Sequence, residues 1–343
     1  LKRLMRKVMT PREIVLEQIR HHETERVPYY LPFEPDVVTR LNAYYGDQDW
    51  QKRLVPYLVL CGGVVKAPRE EIDQHHNRDV FGTVWRTDLL PSVVVEPGLK
   101  KPSFDGYRFP TPEDFFDKEV KAETIRKVRE NQNSFTIVDC PCLWQAWYLR
   151  GFEQTLMDCV AEEDFYEELL ERTTVLTLAF VDHCADIPAD AIMMGDDWGN
   201  QQGVMIGPER WRRFYKPRYA RIFQAIHRQG KIAIMHCCGS AAAIMADIVE
   251  IGLDVLESVQ PEASGMNPYE LKKAWGDRIT FWGGLGSQSI IPFGRPEQLR
   301  QEIRRLRREM SQGGGYILAP AKPLRPETPT ENAVAIVEEF LTG

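Results

Sequence analysis

The chain has 343 residues, 43% of them hydrophobic and 27% charged, which suits one large or two ordinary globular domains. Its net charge is −7, and its densest basic group, Arg304, Arg305, Arg307 and Arg308, shares a helix with Glu302 and Glu309 as a solvated face, so a nucleic-acid partner is not expected. No apolar run approaches the roughly 20 residues of a membrane helix. The basic start Leu1–Lys7 lacks the apolar core of a secretion signal, and seven scattered cysteines suit a reducing cytoplasm better than a disulfide framework.

Thr10-Pro11-Arg12-Glu13 opens the first helix with a capping box. Arg26-Val27-Pro28 leads into a short strand over Tyr29–Phe33, followed by a helix around Asp36–Tyr45 and a second strand over Tyr57–Gly62. The region 79–101 differs in character: Val80–Trp85 and Ser92–Val95 alternate like an antiparallel hairpin, an insertion in one domain spanning 1–343. From Thr111 onward helices and strands alternate. Helices are predicted at Asp114–Asn131, Ala146–Cys159, Ala161–Asp186, Pro208–Gln229, Ala241–Ile251, Pro268–Gly276, Pro296–Gln312 and Thr330–Leu341. Strands are predicted at Phe135–Asp139, Ala191–Met194, Ile232–Met235, Val255–Val259, Ile279–Trp282 and Gly315–Leu318. About eight strands separated by helices predict an α/β fold with a parallel sheet, and in this length a TIM (β/α)8 barrel. No G-x-G-x-x-G opens an early helix.

In a barrel the chemistry gathers at the carboxyl ends of the strands. Those ends supply Glu34, Asp139, Asp196, Asp197, His236, Cys238, Glu257 and Lys322. His236 and Cys238 are two residues apart at a strand tip and point to one face. They are a candidate zinc pair; the alternative is a core strand that merely ends in cysteine. A catalytic zinc takes three protein ligands and keeps one position open. Glu257 or Asp196 could be the third, and Glu257 could instead pair with Lys322 or Arg325. Cys140 and Cys142 flank a proline and read as structural. His21, His22, His75 and His76 read as surface residues, His183 and His227 as ordinary helix residues.

Several stretches resemble, in order, the uroporphyrinogen decarboxylase-like superfamily and its cobamide-dependent methyltransferase branch. They are Met9-Thr-Pro-Arg-Glu13 with Arg26-Val27-Pro28, Asp79-Val-Phe-Gly82 with Trp85, Asp196 to Gly199, His236-x-Cys238-Gly239, Phe281-Trp-Gly-Gly284, and Pro326-Glu-Thr-Pro329 with Glu331-Asn332. The resemblance implies a TIM barrel and assigns His236 and Cys238 to the branch's H-x-C zinc ligands. The branch's third ligand is a Cys after the last strand, where this chain has Lys322. The decarboxylases carry an Arg-rich segment after the first strand; here Leu31-Pro-Phe-Glu-Pro-Asp36 has two acids and no Arg.

The resemblance thus implies a zinc-dependent methyltransferase that moves a methyl group between a small donor, for example a methoxylated aromatic, and a corrinoid protein or a thiol. His236, Cys238 and Glu257 would bind zinc. Asp196 and Lys322 would act on the substrate, and Tyr30, Trp198 and Trp282 would line its pocket. The chain has no D-x-H-x-x-G segment, so cobalamin would arrive on a partner protein. The alternatives are a metal-independent decarboxylase or lyase of a small acid, and a non-catalytic binding subunit.

Overall fold

The computed structural model describes residues 8–342 except 67, 90 and 91; the basic start Leu1–Lys7 lies outside the described residues. The first sheet strand is β1 (Leu58–Gly63). Four short strands follow: β2 (Arg69–Glu71), β3 (His76–Asp79), β4 (Val84–Arg86) and β5 (Val93–Glu96). Then come β6 (Phe135–Asp139), β7 (Ala191–Gly195), β8 (Ile232–His236), β9 (Val255–Val259), β10 (Thr280–Leu285) and β11 (Tyr316–Pro320). One seven-stranded parallel sheet runs β1-β6-β7-β8-β9-β10-β11. Every residue of β10 and β11 is buried, as expected of parallel strands covered on both faces.

Tyr29–Phe33 takes the remaining place in the ring, held by bridges instead of a ladder. The Tyr30 N–H donates to the Leu318 carbonyl and the Leu318 N–H to that of Pro28, each at 2.9 Å. Glu34 and Pro32 repeat this exchange with Leu324. Pro28 and Pro32 have no N–H to give, which limits the pairing. Toward β1 the contact is made by a side chain: the Tyr29 hydroxyl accepts from the Val55 N–H at 2.8 Å, and its ring meets that of Tyr57 edge-on at 5.1 Å. The architecture is an α/β barrel of the TIM type.

The expected hairpin is half of a four-stranded antiparallel sheet in the order β2-β3-β4-β5. Val80–Gly82 form its turn and are not strand. The Asp79 carboxylate accepts from the N–H groups of Phe81 and Thr83 and from the Trp85 indole at 2.7–3.0 Å. Two expected long helices are each divided. Gln145–Arg150 and Phe152–Ala161 part at Gly151, where φ is +90°, and Pro208–Phe214 and Lys216–Arg228 part just before Pro217.

His227, at the end of the last of these helices, faces Asp254, with Nε2 and Oδ2 2.8 Å apart. The same Oδ2 accepts from the Ala233 N–H at the start of β8. This hydrogen bond outweighs burial and raises the imidazole pKa. A raised folded-state pKa stabilises below about pH 6.5 and the gain is lost as pH rises through the folded value. Both side chains are substantially exposed, 40% and 32%, so the effect is small. Wild type should exceed His227→Gln by under about 1 kcal/mol at pH 6, with the gap closing by pH 9 in urea unfolding. Equal gaps at both pH values would mean that the ring acts by packing alone.

Candidate active site

β8 delivers His236 at its carboxyl end after the buried run Ala233–Met235. The following loop lies backbone to backbone against the loop after β7. The Ser240 N–H donates to the Asn200 carbonyl at 2.8 Å. A Cβ on Gly199 would fall 2.4 Å from the Ser240 carbonyl oxygen, and one on Gly239, whose φ is +74°, 2.6 Å from that of Asn200. Only glycine allows this approach. It places Asp197 beside Cys238, whose N–H donates to Asp197 Oδ1 at 2.7 Å.

The two ring nitrogens of His236 face different partners. Nε2 lies 3.1 Å from Cys238 Sγ and 3.8 Å from Asp197 Oδ1. The three candidate donor atoms of Asp197, His236 and Cys238 lie within 4.8 Å of one another. Nδ1 is hydrogen-bonded to the Glu257 carboxylate from the middle of β9. Burial disfavours a charged ring, but Glu257 and Cys238 outweigh it and raise His236 to about 10. Lys322, just past β11, donates from Nζ to Cys238 Sγ at 2.6 Å.

Four of the residues singled out from sequence therefore converge: His236, Cys238, Glu257 and Lys322. Asp196 points elsewhere. It is 1% exposed, it accepts from the Tyr219 hydroxyl, and its other oxygen has no partner among the described residues. Burial lifts its carboxyl to about 7, although Tyr219 opposes the shift. Trp198 is also buried, edge-on to Trp211 and Tyr219 at 5.2 and 5.1 Å in the helical layer. Trp282 is 2% exposed, pairs in register with Glu257 and meets Tyr30 edge-on at 5.4 Å. Burial, and after it the charges of Glu257 and Asp139, raise the Tyr30 phenol pKa. Cys142 is buried and donates to the Gly195 carbonyl at 2.9 Å.

Beside this cluster lies a cleft of about 500 Å³ at the ends of β1, β6, β7 and β8, with Asp139, Trp144, Trp147, Tyr148, Asp197 and His236 among its lining. Sequence reasoning placed Asp197 at the mouth but did not weigh it as a ligand. Adjacent residues of an extended segment face opposite ways, yet nothing in Asp196-Asp197 says which one looks inward.

Imidazole nitrogen, thiolate sulfur and carboxylate oxygen are the donors a catalytic zinc takes. A carboxylate on the far ring nitrogen is the arrangement that orients a ligating histidine. The donor set at Asp197, His236 and Cys238 thus fits the metal.

Residues 94–341 match the family model for uroporphyrinogen decarboxylase (URO-D). The methylcobamide:CoM methyltransferase MtaA of Methanosarcina barkeri is 25% identical over 181 residues, 52% of this chain and 49% of that protein. A uroporphyrinogen decarboxylase of Coxiella burnetii is 24% identical over 180 residues, 52% and 47% of the two chains. The chain thus spans about half the length of these curated relatives. A solved methyltransferase from Methanosarcina mazei shares the fold, with a TM-score of 0.70 over 97% of this chain and 98% of that one at 17% identity. With the barrel, the strand-end cluster and a family match over well more than half its length, the chain belongs to the uroporphyrinogen decarboxylase (URO-D) family.

Proposed function

We propose that the protein is a zinc-dependent methyltransferase that moves a methyl group between a small donor, such as a methoxylated aromatic, and a thiol or the corrinoid of a partner protein. The observation that carries this is the meeting of Asp197, His236 and Cys238 with Glu257 behind the imidazole. The similarity to a methylcobamide:CoM methyltransferase supports it. Asp197, His236 and Cys238 would hold the metal, with Asp197 taking the place given to Glu257 from sequence. Bound zinc would supply a positive charge that favours a coordinated thiolate or polarises an ether oxygen.

The chain's own groups do the rest. Glu257 accepts a hydrogen bond from the Nδ1–H and leaves Nε2 facing the other donors. The Cys238 N–H fixes the Asp197 carboxylate. Lys322, next to the thiol, can hold an anionic group or return a proton to it. Asp196, buried against Tyr219, acts by fixing the loop that carries Asp197, a positioning role. Tyr30 and Trp282 form an apolar wall beside Glu257. The URO-D decarboxylation reading is less favoured, because Leu31–Asp36 lacks the arginines a polycarboxylate substrate calls for.

The test is elemental analysis followed by methyl transfer from methylcobalamin to a small thiol. About one zinc per chain is expected, from a site of three protein ligands and one open position. Transfer should stop on chelation and resume on adding zinc. No metal after growth with added zinc would end the proposal, and carboxylate loss from a small acid that survives chelation would favour the lyase alternative.

A further inference from the structure

Away from His236, whose two ring nitrogens face Glu257 and Cys238, the charged side chains of the cleft are acidic. Among the described residues its lining includes the carboxylates of Asp139 and Asp197 and no Lys or Arg. Lys322 is engaged with Cys238, and Arg69 lies over the Trp85 ring at 5.2 Å. Asp139, the last residue of β6, is open to the cleft, yet no hydrogen bond or ion pair to its carboxylate is found among the described residues. The protein around it raises its pKa through burial alone. A partly desolvated carboxylate without a partner is costly and is relieved by an incoming cation.

The opposite wall is aromatic. Trp144, Trp147 and Tyr148 stand half-buried at the cleft, while Gln145 and Ala146 between them and Leu149 after them are buried. Spacings of three and four place these rings on one side of the helical turn. Tyr148 is held edge-on by Trp144 at 4.2 Å and by Trp85 at 4.6 Å, so the rings are fixed in place. Aromatic faces beside a carboxylate attract an ammonium group and gain nothing from an anion.

We propose that the small substrate of this cleft is an organic cation, an amine or a methylated ammonium, seated between Asp139 and the rings of Trp144, Trp147 and Tyr148. That it is the substrate rests on the methyl-transfer reading; the binding itself does not need zinc.

The test uses the full chain, freed of metal with a chelator, and three probes of similar size: tetramethylammonium, tert-butanol and methanesulfonate. Binding is followed by calorimetry and tryptophan fluorescence. Tetramethylammonium should bind about tenfold or more tighter than the neutral probe, the anion should not bind detectably, and Asp139→Asn should lose about tenfold for the cation alone. Trp147→Leu should weaken cation binding too, which keeps the test decisive if Asp139→Asn does not fold. Equal binding of cation and neutral probe, preference for the anion, or unchanged binding by Asp139→Asn would overturn the proposal. Zinc measured on each preparation before the chelator is added separates the two readings. Zinc without cation preference removes only the substrate class; cation preference without zinc leaves the pocket standing and removes the methyl-transfer reading.

Discussion

His236→Ala and Cys238→Ser should each leave the protein without zinc, whereas Glu257→Gln should keep it with an affinity lowered about 10- to 100-fold. The difference follows from which ring nitrogen faces which carboxylate. Nε2 looks toward Cys238 and Asp197, so removing the ring or the thiol removes a donor. Glu257 reaches only Nδ1; its loss frees the ring to rotate and weakens the ligand without deleting it. Asp197→Asn sharpens the comparison, because the amide oxygen can still accept from the Cys238 N–H and so preserve the loop while the charge is lost. It should lose zinc nearly as completely as His236→Ala. Competition with a chromogenic chelator, with elemental analysis, reads all four variants. If Glu257→Gln lost zinc entirely and Asp197→Asn kept it, the third ligand would be Glu257, as sequence alone suggested.

Arg150→Met should cost about 3–5 kcal/mol of stability, because it strands a buried carboxylate. Arg150 and Asp158 are 6% and 4% exposed. The guanidinium donates from Nε and Nη2 to the two Asp158 oxygens at 2.7 and 3.3 Å. Its Nη1 donates to the Leu99 and Lys100 carbonyls at 3.3 and 3.2 Å. One side chain thus joins the two helices that part at Gly151 to the segment leaving the antiparallel sheet. The double variant Arg150→Met, Asp158→Leu should recover most of the loss, since replacing a buried pair with apolar groups is often neutral. Urea unfolding of the two variants decides it. If the double variant were no better than the single one, the carbonyl contacts, and not the stranded charge, would be what matters. Because Trp147 and Tyr148 belong to the same short helix, Arg150→Met should also blunt ligand binding in the cleft.

The barrel was legible because its strands are short apolar runs bounded by turns and separated by amphipathic helices. Phe135–Asp139, Val255–Val259 and Thr330–Leu341 fall where the pattern puts them. The misses have local causes. Arg69–Glu71 and His76–Asp79 are strands with no apolar alternation, held by their neighbours' backbones, so no periodicity marks them. The breaks at Gly151 and just before Pro217 were written in the sequence, but the apolar pattern continues across both and hides them. At the site, His236 and Cys238 are near neighbours in the chain and could be paired by spacing. The approach of Lys322 to Cys238, 84 positions apart, depends on barrel closure. The choice between Asp196 and Asp197 depends on how the loop after β7 is turned by its contact with Ser240. Neither is a property of a short stretch of sequence.

The first strand position has a consequence for how the barrel breathes. A ring of parallel strands resists opening because every strand is laced along its length to two neighbours, but Tyr29–Phe33 is laced to one by bridges and joined to the approach of β1 through the side chain of Tyr29. Local opening begins where the fewest backbone bonds must break. Amide protons of Tyr30 and Glu34 should therefore exchange with solvent well before those of β7 and β8. Tyr30 sits on this seam and its ring rests on Trp282 beside Glu257. The most readily loosened stave of the barrel is thus also one wall of the reaction chamber, and a substrate or partner that braced Tyr30 would tighten the whole hoop.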